Sequence, residues 1–267
     1  MAELPLRWVV VCEHRSDADI ACGLADRVAI ESDSKLTHRV SEPLDALRRW
    51  SGEDSEPAGN LRPLLWSQVK HRARALGISP HGYGRAGVDG IESAEIRKAL
   101  AVVTHKGADR PAGVLLVRDT DGDTDRRRSY RSSVDALSAA SDGEASPMRV
   151  LLALPHPEME AWLLAGFDPS DDDERDRLKA VRTRLGMDPR ERSHELNSGR
   201  TATDGGRVKN STKNALDDLC ANDHDRKRRC WEEASLVDLR KRGEHNGLAE
   251  FLDGVVTQYV ASLVGAR

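Results

Sequence analysis

The chain has 267 residues, enough for one large domain or a core with an elaborated second half, which excludes a small scaffold stapled by metals or disulfides. Hydrophobic residues make up 38% and charged residues 32%, and the formal charge is -4, so neither a disordered chain nor one that coats nucleic acid by bulk charge fits. No stretch approaches the roughly 20 apolar residues of a membrane span, and Met1 to Trp8 lack the features of a signal peptide, so a cytoplasmic protein with no membrane partner is expected.

The first apolar run, Trp8 to Cys12, is short and β-branched, as in a strand buried on both faces. Glu13 comes directly after it. Ser16 is positioned to cap a helix carrying Ile20, Leu24 and Val28 at helical spacing. The next 75 or so residues are too many for a simple crossover. They predict a short strand at Thr37 to Val40 and helices at Pro43 to Trp50, Leu61 to Leu76 and Ser93 to Val103, with an exposed loop over Ser51 to Asn60. A second strand, Ala112 to Val117, ends in Arg118-Asp119-Thr120-Asp121-Gly122-Asp123 and precedes a helix from Arg126 to Ala140. A third, Arg149 to Leu154, ends at Pro155 and Pro157 before a helix over Glu158 to Ala165.

Three strand-then-helix units predict an α/β fold with a parallel sheet flanked by helices. The expected division is a core at 1–167, with a helical insertion at about 41–110, and a mostly helical extension at 168–267. In that extension Asp168 to Asp176 is an acidic run, Arg192 to Lys213 is polar, and helices resume at Thr212 to Cys220, Trp231 to Arg240 and Leu248 to Val264.

Four cysteines and no CxxC pair suggest reduced thiols, and Cys220, His224 and Cys230 fit no common zinc spacing. Gly82 to Gly87 matches GxGxxG without a preceding strand, so a dinucleotide site is not expected, and no P-loop is present.

In a parallel sheet, ligands gather at the carboxyl ends of the strands. Here the three predicted strands lead into Glu13, into Asp119 and Asp121, and into Glu158 and Glu160. Carboxylates sharing one cleft repel each other unless a hard cation neutralises them, and magnesium or manganese takes oxygen ligands. Asp119 and Asp121 are two apart on an extended chain and can face one ion, while Gly122 permits a sharp turn. The spacing excludes an EF-hand, because Gly122 is fourth and Tyr130 twelfth in the loop.

Two of these segments, Cys12-Glu13-His14-Arg15-Ser16-Asp17 and Val117 to Asp123, resemble the Toprim domain shared by topoisomerases, bacterial primases and OLD-type nucleases. The third, His156 to Ala165 with its Glu160-Ala161-Trp162-Leu163-Leu164 core, resembles the signature of the Toprim-like DUF4276 proteins and their RloB-like relatives. This resemblance implies a Toprim-like (Rossmann-like) fold and a Mg2+- or Mn2+-dependent endonuclease with one or two ions, acting in anti-phage defence beside an ATPase partner. It implies metal ligands among Glu13, Asp17, Asp119, Asp121, Glu158 and Glu160, with Glu160 ahead of Glu158, and a downstream lysine, for which Lys213 is the candidate. His14 departs from the glycine usual after the first glutamate.

Nucleic acid, DNA ahead of RNA, is the expected partner, and a homo-oligomer is admitted. Arg126, Arg127, Arg128 and Arg131 are candidates for phosphate contacts, as are Arg228 and Arg229 in the run Arg226 to Arg229, and Lys70, His71, Arg72 and Arg74. Two other readings compete. Asp119-Thr120-Asp121-Gly122 after an apolar strand nearly copies the first motif of HAD-type phosphatases, with Asp119 as nucleophile, although the threonine expected after Gly122 is displaced by Asp123. The other is a catalytically weak sensor subunit of an ATPase complex.

Overall fold

The computed structural model describes residues 5–32, 44–52, 61–78, 91–105, 110–140, 148–198 and 210–265. Two compact units emerge: one gathers 1–118, 124–153 and 254–267, the other 119–123 and 154–253.

The first unit is a parallel sheet flanked by helices. Strand β1 (Leu6–Cys12) takes β4 (Gly113–Val117) on one side, and β5 (Arg149–Ala153) pairs beyond β4. On the other side β1 pairs through its first half with β2 (Arg48–Ser51) and through its end with β3 (Leu64–Leu65). Every pairing is parallel, with Val9 opposite Val114 and Leu115 opposite Leu151. Strand β4 lies between two neighbours and is buried throughout, as its unbroken apolar sequence requires. Helix α1 (Arg15–Ser32) packs against β1 and buries small residues, Ala18, Ala21, Ala25 and Ala29.

The carboxyl-terminal turns belong to this same unit. A π-helical segment (Val255–Val260) packs on α1 and β5 and places Tyr259 among Asp26, Arg48 and Trp50. The Tyr259 hydroxyl donates to Asp26 Oδ1 at 2.8 Å and accepts from Arg48 Nε at 3.0 Å, while its ring stacks on Trp50 at 5.0 Å and meets Trp8 edge-on at 5.3 Å. Burial pushes the Asp26 carboxyl up, against the pull of Arg48.

This network explains one correction. The helix expected over Pro43 to Trp50 is a single 3-10 turn (Leu44–Ala46) leading into β2, because Arg48 and Trp50 point to Asp26 while the backbone completes the β1 edge. Other boundaries move less. Ser16 lies inside α1 rather than at its cap, and its hydroxyl bonds Asp17 Oδ1 at 3.3 Å. The helix expected from Leu61 begins only after β3, as α2 (Trp66–Ala75). It packs on α3 (Ile91–Val103), which packs on α4 (Thr124–Ala140). The strand expected at 37–40, most of the loop at 51–60 and the glycine-rich 82–87 lie outside the described residues.

The second unit is helical. It contains α5 (Glu160–Gly166), α6 (Asp172–Leu185), α7 (Thr212–Leu219), α8 (His224–Glu232), α9 (Leu236–Arg242) and α10 (Leu248–Gly254), the last running into the π-helical segment. Helix α5 is its centre and packs on α7, α8 and α9. Trp162 is 1% exposed, stacks on Phe251 at 5.0 Å and donates Nε1 to Asn246 O. These contacts tie α5 to the helices after it, so the division falls at the strand ends rather than after residue 167. The acidic run leads into α6, a helix the sequence reading did not assign, capped by Asp171 at one end and by Gly186 (φ +70) at the other. The single helix expected over Trp231 to Arg240 is two, because Ser235 caps α9 by accepting from Val237 N.

Candidate functional site

Strands β1, β4 and β5 are parallel neighbours, so their carboxyl ends lie at one edge of the sheet. The carboxylates singled out from the sequence leave those ends in two groups, one in each unit.

In the sheet unit, Glu13 is 15% exposed, and Arg118 Nε lies 2.9 Å from its Oε1. Arg118 also approaches Glu95 at 3.7 Å and covers the Trp66 ring at 5.3 Å. Trp66 in turn donates Nε1 to Val117 O, which anchors the end of β4. Asp17 is buried on the first turn of α1. Burial pushes its carboxyl up, His14 and Ser16 pulling the other way.

The basic residues of α4 are largely committed. Arg126 faces Glu92 at 3.8 Å, Arg128 pairs with Asp125 at 2.9 Å, and burial lowers the Arg127 and Arg131 guanidiniums from their usual range.

In the helical unit, the residues after β4 form a tight turn with Asp121 (φ 52) and Gly122 (φ 80) both left-handed. Aspartate tolerates that region and glycine favours it. The turn is fastened to the segment that leaves β5: Thr120 N donates to Pro155 O at 3.1 Å, and Thr120 Oγ1 donates to the same carbonyl at 3.0 Å. His156 Nδ1 lies 2.7 Å from Thr120 Oγ1, and His156 N donates to Asn246 O at 2.9 Å. The His156-Pro157 bond is cis.

Asn246 is fully buried and holds the rest of this corner. Its Nδ2 donates to Ala161 O and Ser193 Oγ, and its Oδ1 accepts from Leu248 N.

Beyond Pro157, Glu158 precedes α5 and Glu160 opens it, so the two need not diverge as they would on one helix. The same short stretch receives both. Thr212 donates to Glu158 Oε1, and Lys213 Nζ lies 3.9 Å from Glu160 Oε1 with its side chain 65% exposed. Ser211 sets up this pair by capping α7, accepting from Asn214 N at 3.1 Å. The helical unit thus brings together the Asp119–Asp123 turn with 155–157, and Glu158 and Glu160 with Thr212 and Lys213.

The basic run on α8 divides. Arg226 is buried in a two-pronged pair with Glu174, at 2.6 and 2.9 Å, and Lys227 is bound to Asp217, so neither faces a ligand. Arg228 is exposed between Asp225 and Glu232, each at 3.3 Å. Arg229 is half-buried, while Lys70, His71 and Arg74 are exposed on α2. All four cysteines are buried free thiols. His224 is exposed at the start of α8, while Cys220 and Cys230 are buried.

The sequence reading assigned no role to Arg118, Thr120, His156, Thr212 or Asn246. His156 carried a signal, an imidazole held between two prolines at a strand end; the others become visible only through their partners.

The donors are all hard oxygens with one imidazole, a chemistry that fits magnesium or manganese. As placed, however, no group of three or more His, Cys, Asp or Glu side chains among the described residues is arranged to hold a metal ion. Glu158 and Glu160 are engaged by Thr212 and Lys213, and Glu13 by Arg118, so a cation would have to displace these partners. Compared with protein-family models, curated proteins and solved structures, the chain matches none.

Proposed function

We propose that this chain is a Toprim-like, metal-dependent nuclease that hydrolyses phosphodiester bonds, DNA ahead of RNA, as the effector of an anti-phage system with an ATPase partner. The observation that carries the reading is the corner of the helical unit. A left-handed Asp-Gly turn is fastened through Thr120 to the Pro-His-Pro segment, and the two glutamates beyond it face a threonine and a lysine. The parallel α/β sheet and the order of acids after β1, β4 and β5 agree with the Toprim resemblance.

In this reading Asp119, Asp121 and Glu160 hold the divalent ion, with Glu158 as a further acidic group. When bound, such an ion supplies an activated water and charge neutralisation at the leaving oxygen. The protein's own residues do the rest. Thr120 orients the His156 ring, Asn246 holds the backbone that presents it, and Lys213 contributes a mobile cation that pairs with a scissile phosphate in exchange for Glu160. Arg118 orients the Glu13 carboxylate.

Nicking of supercoiled plasmid with Mn2+ or Mg2+ tests this, comparing wild type with Asp121→Ala and Lys213→Ala. Metal-dependent nicking lost in Asp121→Ala and weakened in Lys213→Ala is expected. No nicking, together with turnover of a small phosphomonoester that requires Asp119, would replace the nuclease by a HAD-type phosphatase. Silence in both assays would leave the sensor-subunit reading and reject the enzyme.

A further inference from the structure

The helical unit contains a pair of thiols to which the acidic corner gives no role. Cys220 closes α7, and Cys230 lies on α8, the next helix. They are 1% and 0% exposed, and both are free. Their side chains are hydrogen-bonded to each other, so the two sulfurs are in contact. Cys230 Sγ also lies 3.6 Å from Arg226 Nη1 and 3.5 Å from Arg226 O, so one arginine holds that sulfur in place through both its guanidinium and its carbonyl.

The four cysteines differ in chemistry. In the sheet unit, burial pushes the Cys22 thiol well up and the Cys12 thiol up to about 12, with Asp17, Asp19 and Glu13 adding to the latter. In the helical unit, the hydrogen bond from Cys230 lowers the Cys220 thiol against its burial, and the Arg226 and Lys227 cations act in the same direction. Cys230 is pushed up by the same bond and by burial. The thiolate is the reactive form, so Cys220 is the thiol poised to react first, with Cys230 in place beside it. The five residues that follow Cys220, 221–225, are all exposed, so this sulfur is one residue from the surface along the chain.

We propose that Cys220 and Cys230 form a reversible disulfide under hydrogen peroxide, stapling the end of α7 to α8. This goes beyond the nuclease reading and does not depend on it. The Cys220 thiolate attacks one peroxide oxygen: the S–O bond forms, the O–O bond breaks, and hydroxide leaves to be protonated to water. The Cys230 sulfur then attacks the sulfenic sulfur: the S–S bond forms, the S–O bond breaks, and the hydroxyl leaves with the Cys230 proton as water. Two thiols are thereby oxidised to one disulfide while one peroxide is reduced to two waters, and a dithiol reductant reverses the cross-link by exchange. Contact between the sulfurs favours this closure over further oxidation of Cys220 to the sulfinic acid.

Trypsin separates the two cysteines by cutting after Lys213, Arg226, Arg229 and Arg240, so the disulfide is read as a link between peptides 214–226 and 230–240. The native protein is treated with hydrogen peroxide, its remaining thiols are alkylated in denaturant, and the digest is mapped by mass spectrometry. The linked pair is expected, lost again with dithiothreitol, while Cys12 and Cys22 are recovered alkylated. Because the cross-link closes a loop of the unfolded chain, Tm is expected to rise by about 5–10 °C on oxidation and to return with dithiothreitol. In Cys230→Ser, dimedone is expected to trap a sulfenic acid on Cys220.

Four alkylated cysteines after peroxide would overturn the inference. So would a linked pair that forms only when urea is present during oxidation, or oxidation of Cys12 or Cys22 at the same rate as the pair. Cys220 driven to sulfinic acid in the wild type without a cross-link, or linkage with no rise in Tm, would count equally against it. The wild-type map carries the test even where Cys230→Ser fails to fold.

Discussion

Replacing Glu174 by glutamine removes one charge from the scaffold of the helical unit while keeping the side chain's shape. Glu174 is 5% exposed and Arg226 6% exposed at the side chain, joined by two hydrogen bonds. Arg226 also donates to Asp168 O at 2.6 Å and lies over the Phe167 ring at 4.4 Å, so this pair fixes where α6 and α8 meet the end of α5. Burial works against the Glu174 carboxylate, but the bonds from Arg226 and Ser170 N outweigh it and hold the group down at about 2.

Against an ordinary value of 4.5, that depression corresponds to about 3 kcal/mol. A depressed carboxylate stabilises the fold fully above its unfolded value and loses that contribution as pH falls through its folded value. The contribution is therefore complete above about pH 4.5 and gone near pH 2. Glutamine leaves Arg226 buried without a counter-charge, which costs about 3–5 kcal/mol. Urea unfolding monitored by tryptophan fluorescence at pH 7, 5 and 3 measures the difference. The variant is expected to lose 3–5 kcal/mol at pH 7 by the cost of an unpaired buried charge, with the gap narrowing toward pH 3. Asp188, held down to about 2 by Arg190 and Arg182 against its burial, gives both proteins a common acid limb, so only the gap is diagnostic. A gap that is constant with pH, or under about 1 kcal/mol at pH 7, would refute the reasoning.

Three other outcomes are expected. Gly166→Ala places a Cβ 1.8 Å from Cys230 O, where only backbone could yield, so a loss at or beyond the upper end of about 1–3 kcal/mol should appear as a lowered Tm; wild-type Tm would contradict the α5–α8 contact. Tyr259→Phe keeps the stacking on Trp50 but removes the hydroxyl between Asp26 and Arg48, for an expected loss of about 1–3 kcal/mol by denaturant titration. Lys213→Ala should leave Tm unchanged, the side chain being exposed, while reducing nicking; a fall in Tm would mark Lys213 as structural instead.

The parts of the fold readable from sequence are those where local pattern and burial agree. Val9 to Val11 and Val114 to Val117 are apolar without interruption because both faces of these strands are covered. Strand β2 escaped because Arg48 and Trp50 owe their places to Asp26 and Tyr259, partners 22 and 211 residues from Arg48. Helix α6 escaped because only Glu174, Leu178 and Val181 turn inward, and one of those three is charged. At the site, the acids were legible as strand-end residues and Lys213 proved to face Glu160. Their fastenings were not: Thr120, Thr212 and Asn246 act through carbonyls and carboxylates set by the chain's return, and no spacing encodes such partners.

The claim on which the functional account turns is that the Asp119–Asp123 turn and the Glu158–Glu160 segment serve one metal ion. Calorimetric titration with Mn2+ tests it without requiring turnover, using wild type, Asp121→Asn and Glu160→Gln. The account predicts saturable binding by wild type and its loss in both variants, each still folded by circular dichroism. Binding that survives both substitutions, or none by the wild type, would contradict it.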